Sequence, residues 1–207
     1  MKLETQVIST NENLTGAIEQ ALDVLQAGGT VAFPTDTVYG LAASLSSAET
    51  IEQLFQVKQR PEDRAIAVLL GNTGHLAEVT LDPGGAALRL AERFWPGPLT
   101  LVVPKHPQIP AMISPRPTIG VRIPDHPVAL ALLTASGPLA VTSANLSGQE
   151  NCRSAGEVLE QLQGRIDLIL DGGVTPGGLP STVVDMTGDT LKILREGPIS
   201  FSELQSE

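Results

Sequence analysis

Lys58-Gln59-Arg60 sets two cations one residue apart, with Pro61 directly after and Arg64 close behind. Such a pair can hold a polyanion, because arginine offers a planar fork to phosphate oxygens while lysine acts as a mobile point charge. The same residues could instead complement the dipole at a helix C-terminus. Ser143, Asn145 and Ser147 recur at spacing two beside Gly148. On an extended segment they point to one side, where short polar groups suit adenosine and phosphate recognition; the alternative is a turn in which Asn and Ser bond their own backbone. Arg122 stands between Val121 and Ile123. Strand alternation puts it on the face opposite those two, and burying it there demands an anion, unless that face is an exposed edge.

Pro34 stops the apolar run Thr30–Phe33, and the following loop carries the hydroxyls of Thr35, Thr37 and Tyr39 before Gly40. Proline has no N–H for a ladder, so a strand is expected to end here and deliver a hydroxyl-rich loop. Open α/β sheets build ligand sites from such strand ends. On that basis the pocket is expected between this loop, Lys58–Arg60 and Ser143–Asn145, and the loop hydroxyls are expected to read a hydroxyl on the ligand. Ser181 follows a Gly/Pro-rich stretch and Arg195 follows Leu191–Leu194; a turn residue and a solvated cation are their plainer readings.

The elements that position these groups follow from periodicity. Leu14, Ala17, Ile18, Ala21, Leu22 and Leu25 mark a helix capped by Asn13 and ended by Gly28-Gly29. Ser46-x-x-Glu49 opens a second helix that carries Ile51, Leu54 and Phe55 inward and ends near Lys58. Further helices are expected over Gly85–Phe94, Pro127–Ala135 and Ala155–Leu162, with strands at Ala65–Leu70, Leu99–Val103, Thr118–Ile123, Leu139–Thr142, Leu168–Leu170, Thr182–Asp185 and Leu191–Leu194. Strands and helices interleave, but strands also follow strands. The fold class is therefore α/β, a twisted mixed sheet with packed helices. Gly172–Pro180 reads as the most flexible internal stretch.

The chain has 207 residues, 42% of them hydrophobic, enough to bury a sizeable core in one domain. Its apolar runs fall far short of the ~20 residues that span a bilayer. Met1–Thr10 contains Glu4 and no apolar signal region. The single cysteine, Cys152, is compatible with a reducing cytosol. The net charge of −10 opposes stable nucleic-acid binding, which draws on phosphate neutralisation. No P-loop, GxGxxG turn or GxSxG elbow is present. His75, His106 and His126 lie too far apart to suggest a zinc site.

The pieces recur in a defined order: Gly29–Leu41, Lys58–Pro61, Trp95-Pro96-Gly97-Pro98-Leu99-Thr100, Gly120–Pro124, Ser143–Gly148, Ser181-Thr182-Val183 and Arg195-Glu196-Gly197. No piece is specific alone. The ordered set, from about Gly28 to Pro198, resembles the YrdC-like family of threonylcarbamoyl-AMP synthases. The resemblance implies a YrdC-like domain, here over residues 1–207 without the second domain that many members carry after a linker. It implies a cytoplasmic nucleotidyltransferase that condenses L-threonine, bicarbonate (or CO2) and ATP, with Mg2+ arriving on the ATP and no metal ligand assigned on the protein. Its product would serve threonylcarbamoyl-adenosine formation in tRNA, which links it functionally to the tRNA threonylcarbamoyl-transfer proteins.

By the same resemblance, Lys58 and Arg60 are the catalytic cations. Lys58, Arg60, Arg64, Thr118, Ser143, Asn145, Asn151 and Arg195 are the ATP contacts, and Thr35, Thr37, Leu69, Arg122, Val141 and Ser181 are the threonine contacts. Two positions depart from the family pattern: Arg64 stands where many relatives have Asn, and Leu69 where they have His. The contrasting reading is a non-catalytic YrdC-like module that binds RNA in ribosome or RNA maturation. The related carbamoyl-adenylate chemistry of hydrogenase-maturation proteins belongs to much longer chains.

Arg60 follows a helix and precedes proline, which places it away from the core. Arg60→Ala should change stability by no more than about 0.5 kcal/mol. A charge-assisted bond to phosphate is worth about 1.5–3 kcal/mol, so adenylate formation should fall roughly ten- to hundred-fold, with partial recovery in Arg60→Lys. Pyrophosphate release and melting temperature on the same proteins check this; near-normal rates for Arg60→Ala would take Arg60 out of the site.

Overall fold

The structure, a computed structural model, describes residues 4–46, 48–59, 65–188 and 190–205. In chain order it contains β1 (Gln6–Ser9), α1 (Leu14–Gln26), β2 (Val31–Phe33), β3 (Gly40–Ser44), α2 (Ala48–Lys58), β4 (Ala67–Leu69), α3 (Leu76–Val79), α4 (Gly85–Phe94), β5 (Leu99–Pro104), β6 (Thr118–Arg122), α5 (Pro127–Ser136), β7 (Leu139–Ser143), α6 (Ala155–Leu162), β8 (Leu168–Asp171), β9 (Thr182–Asp185), β10 (Lys192–Arg195) and α7 (Phe201–Gln205). The strands form one mixed sheet in the order β1-β8-β2-β3-β7-β4-β6-β5-β9-β10. Four of its pairings are parallel: β1 with β8, β8 with β2, β4 with β6 and β5 with β9.

The helices begin where the sequence offers caps. Asn13 Oδ1 accepts from Gly16 N at 3.0 Å to open α1, and Ser154 Oγ accepts from Glu157 N to open α6. Pro127 starts α5, whose first turn is capped by His126 Nδ1 accepting from Val128 N. Gly28, at φ +83, ends the turn after α1.

Two strands were not foreseen, β1 and β3. β1 offers only Val7 and Ile8 as apolar residues, and β3 is Gly-Leu-Ala-Ala-Ser, with little β-propensity of its own. β3 is a strand because β2 and β7 pair with it on both sides. Since β2 and β3 are antiparallel with Phe33 opposite Gly40, the hydroxyl-rich stretch 34–39 is the loop of a hairpin.

Strand alternation divides the apolar residues between two cores. Ala32, Leu41, Val68, Ala140 and Val121 face α2, α4 and α6 in the larger core. Val31, Phe33, Ala42, Leu69 and Val141 face α1 and α5 in the smaller one. Each fully buried Leu, Ile or Phe contributes roughly 1.5–3 kcal/mol. The two cores are unequal in extent. β5, β6 and β9 supply Leu99, Leu101, Val103, Ile119, Val121 and Val184 to the larger core and nothing to the smaller. Helices thus cover one face of the sheet along its length and the other face only as far as β4.

Candidate active site

The uncovered half-face is the floor of a cavity of about 490 Å³. Alternate strand positions supply the floor: Ala67 and Leu69 from β4, Thr118, Gly120 and Arg122 from β6, Thr100 and Val102 from β5. Small residues keep it open, and a Cβ on Gly120 would stand 3.1 Å from Thr100 Cγ2. The walls include Thr35 and Thr37 of the β2–β3 loop, Val141 and Ser143 of β7, Asn151, Ser181 and Arg195. Sequence reasoning placed the pocket at strand ends. The hairpin loop and Ser143 do meet there, but the cavity extends over the sheet face beyond them.

Arg122 organises one end. It is 5% exposed, and its Nη2 makes an ion pair with Asp36 Oδ1. Its Nε donates to Gly97 O at 2.9 Å and its Nη1 to Thr37 Oγ1 at 3.1 Å. Burial pulls the Arg122 pKa below its usual value, and Asp36 opposes that shift. Three of its five N–H groups are engaged, which leaves two for a ligand anion. Asp36 Oδ1 also accepts from Asp125 N at 3.0 Å, and Asp36 Oδ2 is buried without a partner among the described residues. Trp95–Thr100 joins the site here: Gly97 N donates to Ile123 O, and Trp95 Nε1 donates to Leu99 O.

The loop hydroxyls are committed inside the protein. Thr35 Oγ1 donates to Val38 O at 2.7 Å, so in its 3.0 Å contact with Thr37 Oγ1 the hydrogen comes from Thr37. Thr35 Oγ1 also accepts from Thr37 N. Tyr39 Oη donates to Gly173 O at 2.8 Å. The hydrogens of these three hydroxyls all have acceptors within the protein, so of the expected readers of a ligand hydroxyl Thr37 Oγ1 can do so by accepting. The stretch Gly172–Pro180 is also more anchored than its composition suggested. Thr175 N donates to Arg153 O at 2.8 Å, and a Cβ on Gly177 would fall 2.7 Å from the carbonyl oxygens of Asp36 and Thr37.

Lys58 and Asn145, expected at the phosphates, lie behind the cavity wall. Lys58 is 1% exposed, and its Nζ donates to Ser143 O, Asn145 O and Asn145 Oδ1. Asn145 Nδ2 donates to Leu146 O and Gln149 O, each at 2.9 Å, and Ser147 N donates to Lys58 O. The lysine thus fixes the turn that presents Ser143 to the cavity. Arg60 and Arg64 lie outside the described residues. On the far wall, Arg195 Nε and Nη2 donate to Ser181 O at 3.1 and 2.9 Å. A Cβ on Gly197 would strike Thr182 N at 2.4 Å, so the Arg195–Gly197 stretch sits directly on the Ser181 backbone.

Sequence reasoning missed three residues. Asp36 answers the demand of a buried arginine for an anion, and its place between Thr35 and Thr37 was the available signal. Thr100 and Arg116 line the cavity; Thr100 ends the Trp95–Thr100 motif, while nothing in the sequence marked Arg116. The described lining includes Arg116, Arg122 and Arg195 and no Asp or Glu, although the chain carries a net charge of −10. Among the described residues no helix is long and apolar enough to cross a membrane.

A family model covering Sua5, YciO and YrdC proteins, described as telomere recombination, matches residues 23–197. The chain belongs to this family. It is 39% identical to the threonylcarbamoyl-AMP synthase of Bacillus subtilis over 98% of this chain and 58% of that protein. It is 35% identical to a putative threonylcarbamoyl-AMP synthase of Mycobacterium tuberculosis over 97% of this chain and 93% of that one. The structure of Pyrococcus abyssi Sua5 complexed with L-threonine superposes with a TM-score of 0.91 at 37% identity, covering 97% of this chain and 59% of that chain. The chain spans only 58% and 60% of the Bacillus and Pyrococcus relatives' lengths.

Removing one partner of a buried ion pair costs about 3–5 kcal/mol. Asp36→Ala should therefore lose stability on that scale in urea denaturation, and a loss below about 1 kcal/mol would show that the pair does not anchor the loop. Burial, helped by the charge of Asp171, pushes the Tyr39 pKa up from 10.0 to about 12. The unfolded chain ionises first, so stability is complete below pH 10 and falls as pH rises to about 12. Tyr39 is the single tyrosine, so tyrosinate absorbance reports it alone. The native midpoint should lie near 12; a native midpoint equal to that of the denatured protein would contradict the buried bond to Gly173.

Proposed function

We propose that the protein is an L-threonylcarbamoyladenylate synthase, a cytoplasmic nucleotidyltransferase. The observation that carries this reading is a cavity lined by Arg116, Arg122 and Arg195, without a carboxylate in its described lining, on a strongly acidic chain. That lining suits reactants that each carry an anionic group: the threonine carboxylate, bicarbonate, and the ATP triphosphate. In the reaction, the neutral threonine amine adds to the carbon of CO2, breaking one C=O π bond and releasing a proton, or to bicarbonate with loss of water, and forms a carbamate. A carbamate oxygen then attacks the α-phosphorus of ATP, and pyrophosphate leaves.

Holding three reactants in one cavity supplies much of the barrier reduction. Arg122, fixed by Asp36, Gly97 and Thr37, holds the threonine carboxylate with its two remaining N–H groups. Leu69 and Val141 pack against the amino acid, and Thr37 Oγ1, left with accepting capacity only, suits its amine. Thr118, Ser143, Asn151 and Arg195 face the nucleotide, with Arg60 and Arg64 completing the phosphate contacts; Lys58 serves them by holding Ser143 in place. Fixed cations offset the charge that builds on the phosphates. Mg2+ enters as part of the ATP complex and adds to that charge balance. The product is a reactive mixed anhydride whose use is transfer of the threonylcarbamoyl group to tRNA by a partner enzyme.

The test is pyrophosphate release with each reactant omitted in turn. Release should require ATP, L-threonine and bicarbonate together. Release that is undiminished without threonine would sink the proposal. Tight RNA binding that falls steeply with salt, without turnover, would favour the RNA-binding module instead.

A further inference from the structure

Two hydroxyl pairs face the cavity, and they differ by one hydrogen. Thr35–Thr37 is closed, since both of its hydrogens have acceptors within the protein. Thr100 and Ser181 form the second pair, with their oxygens 2.7 Å apart. Both residues line the cavity, and they are only 5% and 4% exposed. Ser181 Oγ already accepts from Arg195 Nη2 at 3.1 Å. The pair owns two hydroxyl hydrogens and makes one bond between them. Whichever residue donates, the hydrogen of the other has no acceptor among the described residues.

The Ser181 hydroxyl is held between Thr100 and Arg195, and its backbone is fixed as well. The Ser181 carbonyl is gripped by Arg195, and the next residue, Thr182, donates its N–H to Pro98 O at 2.9 Å. Thr100 Cγ2 lies over Gly120, which holds the Thr100 hydroxyl toward Ser181. A buried hydroxyl hydrogen without an acceptor is unfavourable, so the pair is disposed to donate to an oxygen that enters the cavity, from water or from a ligand that displaces it. The neighbouring Arg195 guanidinium makes an anionic oxygen the favoured acceptor.

We infer that Thr100 is a ligand-binding residue which, with Ser181, donates a hydrogen bond to an anionic oxygen of the bound ligand. The inference rests on the synthase reading for the ligands concerned. A carboxylate oxygen of the amino acid and a phosphoryl oxygen of the nucleotide share this chemistry, and separate titrations distinguish them. Nothing in the sequence set Thr100 apart from its neighbours, because the property lies in the count of hydrogens across β5 and the segment before β9.

The experiment is isothermal titration of the parent protein, Thr100→Val and Thr100→Ser, with L-threonine alone and with Mg-ATP alone. Valine keeps the shape and removes the hydroxyl; serine keeps the hydroxyl. Thr100→Val should weaken one of the two ligands about tenfold or more, while Thr100→Ser stays within about threefold of the parent. Weakening toward threonine identifies the carboxylate, and weakening toward Mg-ATP identifies the phosphoryl oxygen. A parent that binds both ligands, with both affinities unchanged in a folded Thr100→Val, overturns the assignment alone. A parent that binds neither ligand overturns the synthase reading and this assignment together. Should Thr100→Val not fold, Thr100→Ala takes its place, with the same outcomes.

Discussion

A guanidinium inside a β-sheet requires a counter-charge, and much of this molecule is arranged around that requirement. Arg122 sits on β6 with apolar neighbours on either side in sequence. The charge is met by Asp36, which the β2–β3 hairpin loop carries over the sheet face. The same cation draws in the carbonyl of Gly97 and the hydroxyl of Thr37. Fixing Asp36 fixes the loop, and the loop in turn seats Gly177, where a side chain would strike its carbonyls. Three segments distant in sequence are thus held by one ion pair, and Arg122 keeps two N–H groups beyond those bonds.

The cavity itself results from incomplete cover. Helices pack along one face of the sheet, while α1 and α5 stop short on the other. What remains is a floor of β-strand, whose positions are set by a ladder of backbone bonds and not by loop conformation. Gly120 and Ala67 keep that floor low, and Arg122 and Thr100 rise from it. Functional groups on a sheet floor hold their spacing well, which is what the proposed condensation would demand.

Much of this was legible in the sequence. Periodicity found α1, α2, α4, α5 and α6, and alternation put Arg122 on the face opposite Val121 and Ile123, where the structure has it. The order of short motifs identified the family. β3 was hidden because Gly40 and its alanines carry no strand signal; their pairing comes from Phe33 on one side and Val141 on the other. The burial of Lys58 was hidden for a similar reason. A lysine at a helix end looks solvated until the Ser143–Asn145 turn is known to pass beside it. Asp36 was within reach, since a buried arginine implied an anion, but spacing alone could not choose it among 23 acidic residues. The direction of the cavity hydroxyl hydrogens depends on neighbours up to 134 positions away and is not a property of any motif.

The strand order also constrains how the molecule can assemble. β3 and β4 are close in sequence, yet β7 lies between them and bonds to both. β1 meets β8 across a similarly long separation, and Thr10 bonds Asp171 161 positions away. During synthesis, β2 and β3 can form their hairpin early, but β3 and β4 keep open edges until Leu139–Ser143 has emerged. Contacts of such sequence separation close slowly, because loop entropy is lost before they form. The nascent chain therefore carries unpaired, apolar strand edges until about two-thirds of it has been made, the condition in which chaperone capture and aggregation compete with folding.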